Sequence, residues 1–154
     1  MLPVSPSHAL LATMGVLSGI DYLSQAYSTQ SGGRKRFVET VQDLARLSAD
    51  ESEALYQLRC ALVHQIGLSV ESEGDRKGTR YTFEITDAAG KPTLLKLSDS
   101  GAEVNYSVGF WELKRSFIEI INGLRSVCET PTHPRNAHVI NKVGRMHSEK
   151  LLKQ

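Results

Sequence analysis

Cysteine is scarce in this chain, with only Cys60 and Cys128 among 154 residues. Two thiols cannot build a disulfide framework, and these two lack the spacing of a metal site. Both fall in apolar stretches, where a free thiol packs as a small hydrophobe. Long hydrophobic runs are missing too. No stretch approaches the roughly 20 apolar residues that a membrane span requires. The opening segment, "MLPVSPSHALLATMGVLSGI", has no basic lead-in, so a signal peptide is not expected and a cytoplasmic location is. A glycine-rich phosphate loop is also lacking: "SGIDYLSQ" and "QSGGRK" have neither the spacing nor a preceding strand. There is no internal repeat and no low-complexity segment.

Neither sign of charge dominates, and the formal net charge of +1 says little about partners. It is unevenly spread, however. Residues 129–154 hold Arg135, Lys142, Arg145, Lys150 and Lys153 against Glu129 and Glu149, a net +3 that leaves −2 for the rest. Such a basic end either touches an acidic partner such as nucleic acid or is simply solvated. Its histidines, His133, His138 and His147, lack the cysteine or carboxylate support that zinc prefers, and read as solvated.

What is present describes a soluble globular domain. Hydrophobic residues make up 40% and charged residues 23%, within the usual range. The length suits one domain with a real core. Ser5 can cap a first helix whose first position suits Pro6. Leu10, Met14, Leu17 and Asp21 follow one line of it, and Gly15 and Gly19 share a face that could admit another helix closely. A loop, "STQSGGRK", leads to a second helix over about Arg34–Leu47, with Phe37, Val41 and Leu44 at helical spacing. Its basic start, Arg34, Lys35 and Arg36, reads as a solvated turn or a phosphate contact. Asp50 and Glu53 resemble a capping box for a third helix. That helix runs to about His64, with Gly67 as its stop.

After residue 78 the period changes from helical to alternating. "TRYTFEIT", the turn "DAAGKP" and "TLLKL" predict a β-hairpin at about 79–97. A long helix is expected over about Ser107–Cys128. The expected fold class is therefore mainly α: a bundle of about four main helices with an inserted β-hairpin. Residues 1–128 form the helical domain. Residues 129–154 form a polar, basic tail with a short helix lined by Val139, Val143 and Met146.

The third helix holds the chain's most unusual feature. In "LYQLRCALVHQIGL" (55–68) an arginine stands inside an apolar run, with a histidine five residues later. Burying an unpaired arginine is costly. The i±3 and i±4 neighbours of Arg59 are Leu55, Tyr56, Leu62 and Val63, so its own helix offers no carboxylate. The partner must come from another element, a second chain or a ligand. His64, in the last turn, has a ring suited to acid–base work. On a straight helix, residues five apart diverge by about 140° and about 7.5 Å along the axis. The two side chains meet only if the helix ends or bends, if the arginine reaches round, or if two copies share a cleft.

"LRCALVHQ" resembles the arginine-x4–6-histidine motif of the HEPN superfamily, small helical proteins of prokaryotic toxin and defence systems. The resemblance covers about residues 8–128, and its motif-specific residues are Arg59 and His64. It implies a homodimer whose motifs face one another, and metal-independent RNA cleavage with no cofactor. It assigns catalysis to Arg59 and His64: His64 assists attack of a ribose 2′-hydroxyl, and Arg59 holds the phosphate. A partner or antitoxin protein goes with such a system, and no membrane is expected because no apolar run is long enough. Cys60 stands where active members often carry a polar residue. Ile66 stands where members modified by a nucleotidyltransferase carry tyrosine. The other reading is a non-catalytic helical interaction module, with Arg59 in a structural ion pair to Glu39 or Asp43 and His64 capping helix carbonyls.

Overall fold

The computed structural model describes residues 6–74 and 76–152. Helix α1 spans Pro6–Tyr27, α2 Gly33–Ala45 and α3 Ala49–His64. Four strands follow: β1 Ser69–Glu71, β2 Arg80–Thr86, β3 Leu94–Asp99 and β4 Glu103–Gly109. The chain closes with α4 Phe110–Glu129 and α5 Asn136–Leu152. Pro6 opens α1, whereas Ser5, expected as its cap, lies outside the described residues.

The expected mainly α bundle is not what forms. The described residues make an α+β fold, with five helices and a four-stranded mixed sheet of order β1-β2-β4-β3. Nor are β2 and β3 a hairpin. β4 lies between them, parallel to β2 (Arg80↔Glu103 to Thr86↔Gly109) and antiparallel to β3. Burial explains the order. Val104, Tyr106 and Val108 of β4 are all buried, while β3 buries only Leu94. The strand with a full apolar face takes the centre, and the poorer one takes the edge. The inner rings of Tyr81, Phe83 and Tyr106 stack at 6.1–6.4 Å across the strands.

Helix α3 is packed on nearly every side, as its all-round apolarity suggests. Leu55, Leu58 and Leu62 are fully buried with Leu17, Ile20, Phe37, Val41, Leu113 and Ile120. Its capping box uses Ser48 and Glu51, not Asp50 and Glu53. Glu53 instead binds Arg34 at 2.9 Å, so at least one member of the basic turn is held by protein. Gly19 lets α4 approach α1, because a Cβ there would lie 2.8 Å from the Phe117 ring.

Gly109 makes the corner between β4 and α4. Its N–H reaches the carbonyls of Pro92 and Thr93, each at 3.1 Å. A Cβ at that position would sit 2.3 Å from the Pro92 oxygen. Two residues further on, Trp111 ties α4 to the same connection by donating its indole N–H to the Asp87 carbonyl at 2.8 Å.

The C-terminal tail is a longer helix than expected, with 17 residues. Its first turn is docked: Val139 is fully buried. Arg135 pairs with Glu39 at 2.9 Å and lies 4.4 Å over the Tyr27 ring. His138 Nε2 donates to the Ser28 carbonyl at 3.1 Å. Tyr27, buried and donating to Asp43, has its pKa pushed up to about 12.

Two outcomes follow. Gly109→Ala forces backbone against backbone and should destabilise the protein by about 2–3 kcal/mol, read as a lower urea midpoint. Hydrogen bonding from Arg135 holds the Glu39 carboxyl below its ordinary 4.5. A depressed folded-state pKa contributes stability above the unfolded value, and that stability is lost as pH falls. Denaturant midpoints should therefore fall from pH 5 toward pH 3, and Arg135→Met should flatten that fall.

Candidate functional site

Arg59 and His64 do meet, within one chain. Arg59 Nη1 lies 2.8 Å from His64 Nε2. The helix ends at His64, and the arginine side chain reaches round to it. A guanidinium nitrogen only donates, so Nε2 accepts and the ring proton sits on Nδ1. His64 itself is exposed.

The carboxylate partner of Arg59 is Asp21 of α1, at 2.9 Å from Nη2. The expected candidates are engaged elsewhere: Glu39 with Arg135 and Asp43 with the Tyr27 hydroxyl. The pairing thus corrects that expectation. Sequence reading placed Asp21 at the end of the apolar line of α1 and assigned it no role. An acidic residue closing an otherwise apolar helix line was the available signal.

Asp21, Arg59 and His64 form a continuous chain of carboxylate, guanidinium and imidazole. Arg59 keeps 18% of its side-chain surface exposed and Asp21 24%. Burial works against the arginine's charge, but the Asp21 carboxylate outweighs it and raises the guanidinium pKa above its ordinary value. The buried Arg59 Nε has no hydrogen-bond partner among the described residues. Tyr56, one turn from Cys60, is pushed up to about 12 by burial and by the Cys60 thiol. It is a neutral phenol at physiological pH and cannot act as a base there.

A cavity of about 490 Å³ opens beside this chain of groups. It lies between α3 and β1, and Tyr56, Gln57, Cys60, His64 and Val70 line it. Val63 and Ile66 flank His64 in sequence, and both are exposed, Ile66 at 82%. Leu11 and Tyr22 on α1 are exposed as well. At 100° per residue they point about 80–100° round α1 from Asp21.

The helix end itself is unusual. Ile66 has φ +50°, the left-handed conformation that Gly67 was expected to supply. A β-branched residue there is an outlier. The turn is held because the N–H groups of Gln65 and Gly67 both donate to the Ala61 carbonyl, each at 3.1 Å. Among the described residues no group of three or more His, Cys, Asp or Glu is placed to hold a metal ion. No helix among them is long and apolar enough to cross a membrane.

The chain matches no family model, no curated protein and no solved structure.

Asp21→Asn leaves the Arg59 charge half-buried without its counter-ion. It should cost about 1–3 kcal/mol, seen in urea denaturation. In a double-mutant cycle, Arg59→Met should remove most of that cost.

Proposed function

We propose that this protein is an HEPN-like, metal-independent endoribonuclease whose site is completed by a second copy of the chain. The supporting observation is the 2.8 Å contact between Arg59 and His64 at the mouth of a cleft. Two groups that diverge on an ideal helix are held together where a ligand can reach them. Asp21 positions the guanidinium, and the arginine side chain keeps 18% of its surface exposed.

A phosphodiester entering the site competes for Arg59 and frees His64 Nε2. The imidazole then takes the ribose 2′-hydroxyl proton while that oxygen attacks phosphorus. The P–O5′ bond breaks, and the leaving 5′-oxygen takes a proton from water. The products are a 2′,3′-cyclic phosphate and a 5′-hydroxyl. Arg59 offsets the charge that grows on the phosphate oxygens. The exposed Leu11, Tyr22, Val63 and Ile66 supply apolar surface for the homodimer. A role in prokaryotic defence or stress response, with an antitoxin-like partner, rests on the resemblance alone.

One observation favours the second reading, a non-catalytic dimerisation module. Asp21 already answers the Arg59 charge inside its own chain, as a structural ion pair would.

Incubation with mixed RNA in EDTA separates the two. Wild-type protein should cut RNA to cyclic-phosphate ends. His64→Ala should lower the rate about 10²–10⁴-fold, and Arg59→Ala about 10²–10³-fold. Both variants should keep a cooperative thermal transition. A folded, dimeric wild type that cuts no RNA supports the module.

A further inference from the structure

The cavity beside His64 has a chemistry of its own, distinct from that of the Asp21–Arg59–His64 chain. Its charged lining is mostly acidic. Glu71 ends β1 and Glu73 follows two residues later, and both line the cavity. Neither carboxylate has a hydrogen bond or an ion pair among the described residues. Arg80 stands opposite Glu71 in the strand register, yet the two form no salt bridge. The cation at the cavity wall, Arg34, is held by Glu53 at 2.9 Å. Buried Gln57 commits its Nε2 to Glu53 at 2.8 Å and to Ser72 at 3.3 Å, which leaves its Oε1 as an acceptor. Tyr56, Cys60, His64, Gln65, Val70 and Gly74 complete the lining.

An anion is the wrong occupant for such a space. Two unpaired carboxylates repel a phosphate, which belongs on the Arg59 side. What fits is a flat, neutral group with hydrogen-bond donors on one edge. Among the RNA bases, guanine alone carries two adjacent donors, N1–H and N2–H, that a carboxylate can receive together. Adenine and cytosine set an acceptor next to their amino group, and uracil flanks its N3–H with two carbonyls. A carboxylate faces repulsion from each of these. The volume of about 490 Å³ is in the range of a small-ligand site, and unstacked RNA bases commonly rest on tyrosine rings.

We propose that this cavity is a base subsite that takes a guanine of an RNA strand. Glu71 or Glu73 receives the paired N1–H and N2–H donors, and Tyr56 and Val70 cover the ring. The guanosine so held places its 3′-phosphate toward His64 and Arg59. This rests on the reading of those two residues as the phosphate side of an RNA site.

The test uses the whole chain and the four nucleoside 3′-monophosphates, with guanosine 5′-triphosphate as a further arm, in calorimetric titrations. Guanosine 3′-monophosphate should bind at least about fivefold more tightly than the adenosine, cytidine and uridine compounds. The double variant Glu71→Gln/Glu73→Gln keeps the side-chain shape and sits at exposed positions. It should lose that preference while its thermal transition stays put. Cleavage of a randomised RNA should show the same bias on the 5′ side of the cut. Equal binding of all four monophosphates, or a preference unchanged in the double variant, overturns the guanine assignment and leaves RNA cleavage standing. Binding of the triphosphate without the 3′-monophosphate overturns placement in an RNA strand. Guanine preference without any cleavage overturns the nuclease reading alone.

Discussion

Arg59 carries a positive charge on the flank of the most buried helix in the molecule, and Asp21 receives it. Leu55, Leu58 and Leu62, on the same helix, are sealed in the core. With 18% of its side-chain surface exposed, the arginine stands at the edge of that core. Desolvation of the guanidinium costs several kcal/mol when nothing answers it. α3 has no acidic residue near enough, and Asp21 of α1 supplies the carboxylate. The pair ties the two helices together. It also fixes the guanidinium fork: with Nη2 on Asp21, Nη1 falls on His64. One ion pair thus serves both stability and the geometry of the candidate site. A structural role and a functional role for Arg59 are not alternatives at the level of contacts. They differ only in whether a ligand later shares the guanidinium.

The helices were largely readable because their cores repeat at 3.6 residues. Phe37 and Val41 of α2 and Leu55, Leu58 and Leu62 of α3 are buried where periodicity places them. The sheet was misread for a physical reason. Strands adjacent in sequence often pair, and "TRYTFEIT" and "TLLKL" flank a turn. Pairing is decided by burial, however, and β4 outcompetes β3 for the place beside β2. The signal for β4 was present. Val104, Tyr106 and Val108 alternate with Glu103, Asn105 and Ser107, and Gly109 closes the run. The prediction of a helix from Ser107 absorbed its last residues. The pairing of Asp21 with Arg59 was hidden by a different mechanism. Its contact with Arg59 spans 38 residues, and nothing local to either residue marks the other. Arg135, read as part of a solvated tail, likewise finds Glu39 96 residues away.

The turn between α3 and β1 concentrates the remaining cost. β1 must begin at Ser69 to pair with Thr82 of β2, and α3 must end at His64 for the imidazole to meet Arg59. Four residues, Gln65–Leu68, reverse the chain. Closing so short a connection drives Ile66 into the left-handed region although glycine stands next to it. That conformation costs about 1–2 kcal/mol for a residue with a Cβ, and it turns an isoleucine side chain out to solvent. Stability alone would place the glycine one position earlier. The strain persists because the two N–H groups bonded to Ala61 and the β1–β2 pairing together over-determine the turn.

The same turn explains why a cavity exists there at all. Helices and sheet share one core, in which Leu55, Leu58 and Leu62 of α3 pack in the same cluster as Tyr81, Phe83 and Tyr106. Where α3 hands over to β1 a cavity remains, and polar side chains such as Gln57, His64 and Glu71 bound part of it. A gap lined by apolar groups would collapse or be filled by larger side chains, since voids cost packing contacts. A gap lined by hydrogen-bonding groups can stay open to water and be taken by a ligand that replaces that water. The motif residues lie at the mouth of that gap because the helix that carries them ends there. One residue inserted between Arg59 and His64 would rotate the imidazole about 100° from its present direction.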